Sequence, residues 1–280
     1  MAIRTGFVTC VQLGLSCVEA VLESGGRFDV LVSLRDDLAR AKSGRIYLDE
    51  VAENHTIPLH KIRHTNDVET IDLLKSYDLD WLFVIGWSQL LSDAALQSVR
   101  QGVLGMHPTL LPIGRGRAAI PWAILKGLEQ TGVTLFKLDG GVDTGPIVAQ
   151  QVVPIGVRET SSTLYQKVNE AHQTLMLDVW PFVCRGEVPL VPQDEALATE
   201  WPGRRPEDGR ILPGMSLLEV DRLVRATTRP YPGAYVDVSE ETRMRVWSGS
   251  LIEPPRGESR PISMSDGNYF ATDFEYEPAS

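Results

Sequence analysis

Cysteine is scarce in this chain. Its 280 residues include three, Cys10, Cys17 and Cys184. That is an odd number with no C-x-x-C pair, so neither a disulfide framework nor a structural zinc site is expected. Long apolar runs are missing too. The longest, around Trp81–Trp87, falls far short of the roughly 20 residues that a membrane-spanning helix requires. The opening stretch to Cys10 carries too short an apolar run for a signal peptide. Positive charge is in deficit, with 27 lysines and arginines against 37 aspartates and glutamates, a formal net charge of −10. Sequence-independent binding to nucleic acid requires phosphate neutralisation, and this balance counts against it. A cytoplasmic protein that engages neither membrane nor nucleic acid is expected. What is present is ordinary globular material, 43% hydrophobic and 23% charged, enough for a real core in one large or two unequal domains.

The first half alternates short apolar runs with helical patterns, which reads as βα repeats and a mostly parallel sheet. Candidate strands fall at 6–10, 28–33, 59–63, 81–85 and 102–106, the fourth being a continuous apolar run stopped by Gly86. Helices are expected over 14–24, 67–77 and, capped by Ser92, 93–99. Strands 133–138 and 147–153 flank the Gly- and Asp-rich turn Asp139–Pro146. A long helix over 162–183 puts Leu164, Val168, Ala171, Leu175 and Val179 on one stripe, which reads as core contact. After Gly186 the composition shifts to Pro189, Pro192, Pro202, Pro206 and Pro213, as in a linker or loop-rich crossing. Ser216–Glu219 has capping-box spacing and opens a helix to about Ala226. Strand-like 234–238 and 243–248 follow, while 253–280 gives no clear pattern. The expected fold class is α/β: a Rossmann-like, mostly parallel sheet over 1–187, a linker over 188–204, and a smaller β-rich domain over 205–280.

His107 follows the strand 102–106 directly and opens a proline-bounded loop that runs on to Arg117. In open parallel sheets, ligands collect at the carboxyl ends of strands, and histidine is the usual acid or base near neutral pH. A histidine packed under a loop on a backbone carbonyl accounts for the position equally well. Asp143 lies among Gly140, Gly141 and Gly145, again just past a strand. By itself it is a turn former. Paired with His107 it makes a His–carboxylate couple, in which the carboxylate orients the imidazole and raises its basicity. His60 and His64 lie four apart with no third ligand nearby, so they read as solvated histidines, and no metal is expected. Trp122 and Trp180 read as packing residues.

These residues resemble the folate-dependent formyltransferases. The match runs through His107-Pro-Thr-Leu-Leu-Pro112, Arg115-Gly-Arg117, Pro121-Trp122, Gly127, Thr131-Gly-Val-Thr134 and Gly141-Val-Asp-Thr-Gly145. It continues as Gly203-Arg-Arg-Pro206 and Tyr231-Pro-Gly-Ala234, and so covers the chain to about residue 250. Within the family it looks most like the sugar-nucleotide N-formyltransferases, and it is also similar to methionyl-tRNA formyltransferase and the formylating half of the aminoarabinose-pathway enzyme. The resemblance implies the formyltransferase fold with an OB-like C-terminal domain. It also implies transfer of a formyl group from 10-formyltetrahydrofolate to a primary amine, with no metal. His107 and Asp143 stand at the family's catalytic His and Asp. Gly86, Trp87, Leu138, Gly140 and Gly141 stand where the family binds folate. On the acceptor side fall Gln89, Pro108, Thr109, Arg115, Arg117, Arg204 and Arg205, the arginines being suited to a substrate phosphate.

One position departs from the family. Its catalytic trio is Asn, His and Asp, with the Asn two residues before the His, where this chain has Gly105. Loss of one oxyanion donor typically costs on the order of 3 kcal/mol of transition-state stabilisation. Compensation by Gln89, Ser88 or a water is one reading. A slow enzyme, or one moving another one-carbon unit, is a second, and a folate- or nucleotide-binding module without turnover is a third. The second domain speaks against a glycinamide ribonucleotide enzyme. The acids of 205–280 speak against tRNA, which calls for positive surface. A nucleotide-linked amino sugar is the expected acceptor, another small-molecule amine stays open, and a homodimer is left open.

Overall fold

The computed structural model describes residues 3–39, 45–255 and 257–279. In chain order its elements are β1 (Thr5–Val8), α1 (Gln12–Glu23), β2 (Val30–Leu34), α2 (Asp36–Ala39), α3 (Asp49–Asn54), β3 (Leu59–Ile62), α4 (Val68–Ser76), β4 (Trp81–Val84), α5 (Asp93–Leu96) and β5 (Gly102–His107). There follow β6 (Arg115–Gly116), α6 (Ala119–Leu125), β7 (Gln130–Lys137), β8 (Ile147–Pro154), α7 (Ser161–Arg185), β9 (Glu200–Trp201), α8 (Leu217–Thr227), β10 (Ala234–Asp237), β11 (Thr242–Ser250), β12 (Arg260–Met264) and β13 (Gly267–Pro278). The chain divides into two compact units. One comprises residues up to Arg115 with Gly132–Val153 and Val168–Glu200; the other comprises Gly116–Thr131, Pro154–Lys167 and Trp201 onward.

The first unit is built on a seven-stranded sheet in the order β3-β2-β1-β4-β5-β7-β8. The five strands β3, β2, β1, β4 and β5 run parallel, and β7 is antiparallel to β5. Each inner strand is buried on both faces, which is why 81–85 reads as an unbroken apolar run. Phe7, Phe28, Phe83 and Trp180 interlock on one face, with the Phe28 and Trp180 rings 5.1 Å apart edge to face. The order reverses at β1–β4, the kind of place where open sheets bind ligands.

The second unit carries the antiparallel sheet β10-β11-β13-β12, covered by α8. Ser216 caps α8 in the expected capping box with Glu219. Val220, Leu223 and Val224 of α8 meet Ala234, Val246, Tyr269 and Ala271 of the sheet. The polar stripe of 253–280 hides β12 and β13, because their outward residues are solvated and only Ile262, Tyr269 and Ala271 are buried. Three helices were not expected, α2, α3 and α6. In α6, Pro121 sits in the first turn, where a missing N–H breaks no helical bond. Residues 188–204, expected as a linker, include β9 and several polar side chains that bond into the first unit.

Candidate active site

Gly105 lies inside β5, opposite Val84 of β4 and Phe136 of β7. A Cβ placed on it would stand 2.7 Å from Leu138 Cδ2 and 3.3 Å from Leu138 Cγ. Leu138 leaves β7 with its N–H bonded to the Val103 carbonyl. Its side chain therefore fills the volume that any residue-105 side chain would enter. Gln89 does not turn toward this gap. Its Oε1 accepts from the Thr65 N–H (2.9 Å) and hydroxyl (3.2 Å), and its Nε2 donates to the Arg63 carbonyl, so the amide serves the loop after β3.

His107 ends β5 and is buried. Its Nε2 lies 2.8 Å from the Gly114 carbonyl oxygen. A carbonyl only accepts, so the proton is on Nε2. Nδ1 faces Asp143 Oδ2 at 3.5 Å, longer than a hydrogen bond. The expected couple is thus present as a juxtaposition, but the Gly114 carbonyl, not the carboxylate, orients the ring. Nδ1 holds the lone pair and is where a proton can be taken up, within ion-pair reach of Asp143. His172 on α7, which no sequence pattern singled out, lies close enough for its charge to couple to that of His107. It donates Nδ1–H to the Val168 carbonyl, and burial first, with the His107 charge adding, pulls its pKa down to about 4. It is a neutral neighbour at physiological pH.

Asp143 sits in a turn with φ +55°, a left-handed conformation that aspartate tolerates better than most residues. Asp139 Oδ1 braces the turn from the Gly141 N–H (3.0 Å) and the Thr144 hydroxyl (2.6 Å). A Cβ on Gly145 would meet the Lys137 carbonyl at 1.8 Å, so this position requires glycine. Gly140 borders open space toward Asp93. Gly86 turns the chain at φ +65°, and Trp87 beyond it packs on the apolar floor shared with Leu138, Leu91 and Leu96. The Trp87 Nε1 and the Thr109 hydroxyl are buried with no hydrogen-bond partner among the described residues. Pro108 leads into a loop stitched by Thr134, whose hydroxyl donates to the Thr109 carbonyl and accepts from the Leu111 N–H.

Arg115 requires a correction. Expected at a substrate phosphate, it is buried and internally paired: Nη1 and Nη2 bond Glu195 at 2.9 and 2.7 Å, and Nε and Nη2 bond Gln193 Oε1. Gln193 in turn donates to the Asp143 and Gly145 carbonyls. Nothing in the sequence signals this tie, since Gln193 lies 50 residues from Asp143 in the turn it holds. Arg117, Arg204 and Arg205 belong to the second unit. There the half-buried Arg204 guanidinium lies 5.2 Å from the centre of Trp122 and donates to the Asp208 carbonyl, and burial lowers its pKa. Arg117 and Arg205 are exposed, and among the described residues no carboxylate lies within ion-pair distance of Arg117, Arg204 or Arg205. His60 bonds the Tyr77 hydroxyl, and His64 accepts the Asn66 N–H. Among the described residues no three His, Cys, Asp or Glu gather as a metal set, and no helix is long and apolar enough to cross a membrane.

The family model for formyl transferase matches residues 30–180, and that for the formyl transferase C-terminal domain matches 204–270. Among solved structures the chain is similar to an N-formyltransferase from Helicobacter canadensis in complex with folinic acid and dTDP-3-aminofucose. Identity is 17% and the TM-score 0.72, over 98% of this chain and 100% of that one. It is also similar to methionyl-tRNA formyltransferase from Clostridium thermocellum, with 16% identity and TM-score 0.65 over 99% and 100%. A third similarity is to HypX from Aquifex aeolicus in complex with tetrahydrofolic acid, with 18% identity and TM-score 0.66 over 97% of this chain and 44% of that one.

Proposed function

The chain belongs to the formyl transferase family, and on that premise we propose that it moves the formyl group of 10-formyltetrahydrofolate to a primary amine of a nucleotide-linked amino sugar. The amine attacks the formyl carbon, the proton it releases passes to His107 Nδ1, and the bond to the folate nitrogen breaks as that nitrogen takes up the proton from His107 and leaves as tetrahydrofolate. The imidazolium so formed lies between two acceptors, the Gly114 carbonyl at 2.8 Å and the Asp143 carboxylate at 3.5 Å. Both ring nitrogens therefore face an oxygen acceptor, and this geometry is the observation that carries this reading.

Folate is supported by the floor of Trp87 and Leu138. Trp87 and Leu138 are partly buried apolar side chains packed against one core cluster, the kind of lining that suits a flat heterocycle. The solved relatives whose complexes hold folinic acid or tetrahydrofolic acid point the same way. A phosphate-bearing acceptor is supported by Arg204, which pairs with no carboxylate among the described residues and lies over Trp122, and by the dTDP-sugar in the Helicobacter canadensis complex. The filled space at Gly105 favours a second reading, a folate-binding protein without turnover.

One assay separates the two. The protein is incubated with 10-formyltetrahydrofolate and a panel of nucleotide-linked amino sugars, while tetrahydrofolate release and the mass gain of one formyl group are followed. Transfer to any member supports the enzyme. Tight folate binding with no transfer across amino sugars and simple amines establishes the binding protein instead.

A further inference from the structure

We infer that Gln193 is a positioning residue, which sets the Asp143 carboxylate against His107 from a strap of chain outside the sheet; this rests on the proposed transfer reaction. The strap begins where Val191 and Ile147 exchange two backbone hydrogen bonds of 2.8 Å each. It ends at Thr199, whose hydroxyl accepts from the Gly114 N–H at 2.9 Å and whose carbonyl accepts from the Arg115 N–H. One end therefore adjoins the strand that follows the Asp143 turn, and the other fixes the residue whose carbonyl holds the His107 ring.

Gln193 lies between them with its amide fully used. Oε1 accepts from Nε and Nη2 of Arg115, and Nε2 donates to the Asp143 carbonyl at 2.8 Å and the Gly145 carbonyl at 2.7 Å. A primary amide has two donors and two acceptor sites, so neither a flipped amide nor a carboxylate satisfies this pattern. The strap adds little to the core. Val191 and Leu197 are each 59% exposed, and apart from the Val191–Ile147 pair the bonds that attach it go to the loop that follows His107 and to the turn bearing Asp143. A segment with few apolar contacts and polar bonds aimed at a reacting pair acts on geometry more than on stability.

The test is Gln193→Glu, which keeps the size and the Arg115 pairing but places a carboxylate against two carbonyl oxygens. Steady-state kinetics should give a kcat lower by roughly 10- to 100-fold, the scale of a small misplacement of reacting groups, with KM for folate and acceptor unchanged. Hydrogen–deuterium exchange of the free protein should quicken over 139–146 and stay unchanged in β11 and β13. Gln193→Ala makes the same prediction without a new charge and serves where the glutamate variant does not fold. An unchanged kcat, a rise in KM alone, or unaltered exchange of the turn overturns the inference. A wild-type protein that transfers nothing defeats the transfer reaction itself, while the exchange arm still decides whether Gln193 holds the turn.

Discussion

At position 105 the side chain is a hydrogen, and Leu138 stands in the volume that a larger side chain would take. A Cβ at this position would approach Leu138 Cδ2 to 2.7 Å, so Gly105→Asn alone forces the leucine aside. Overpacking of this kind costs about 1–3 kcal/mol, visible as a lower Tm. The double variant Gly105→Asn with Leu138→Ala should recover part of that loss. If an amide at this position can serve the oxyanion, the double variant should also exceed Leu138→Ala in kcat, by up to roughly 100-fold. Equal rates would place residue 105 away from the reacting carbon. His107→Ala should reduce kcat by about 10²- to 10⁴-fold, the range for removing a general base. The places of His107 and Asp143 were legible because each follows a strand, and strand ends can be read from apolar runs. Their tautomer, their spacing and the role of Leu138 were not, because these depend on which atoms meet across β4, β5 and β7.

The βα repeats of the first unit were readable as elements because each inner strand is apolar on both faces and each helix carries its own periodicity. The helix α6 was hidden by Pro121, and β12 and β13 by their solvated faces. A helix as short as α6 takes its stability from its neighbours, here α8. In α8, Asp221 is buried to 3% side-chain exposure, with Oδ2 on Arg225 and Oδ1 on Arg158. Removing one partner of a buried pair strands the other. Asp221→Ala should therefore destabilise by roughly 3 kcal/mol, read as a shift of the urea midpoint, whereas Asp221→Leu combined with Arg225→Met should recover most of it. If the single variant unfolds at the wild-type midpoint, this pair contributes nothing to α8. The Arg204 side chain is tested between α6 and the 203–206 loop: Arg204→Ala should raise the acceptor KM roughly tenfold or more, the loss of a charge-assisted hydrogen bond, while folate KM holds. An unchanged acceptor KM would remove the phosphate from this position.

For the molecule as a whole, pH dependence of stability is set in part by His172. Its ordinary value of 6.5 applies in the unfolded chain, and burial brings it to about 4 in the fold. Above pH 6.5 both states are neutral at this residue, and the fold has its full stability. Between pH 6.5 and 4 only the unfolded chain takes up the proton, so acid favours unfolding, and below 4 the loss levels off. The total is roughly 3 kcal/mol, at about 1.4 kcal/mol per pKa unit. Carboxylates held low by their partners act in a more acid window. Burial of Glu159 is outweighed by Lys167 and its hydrogen bonds, and Glu277 is held low by Arg245, so both contribute stability that is lost only as pH falls below the usual carboxylate value of 4.5. The two windows are separable by comparing wild type with His172→Leu in urea titrations from pH 7.5 to 4. The difference between their unfolding free energies then reports His172 together with the charge coupling it shares with His107. That difference should shrink by about 3 kcal/mol on acidification across this range, because the leucine variant has no proton to take up. Parallel curves would mean that His172 takes up its proton inside the fold as readily as in the unfolded chain, next to His107.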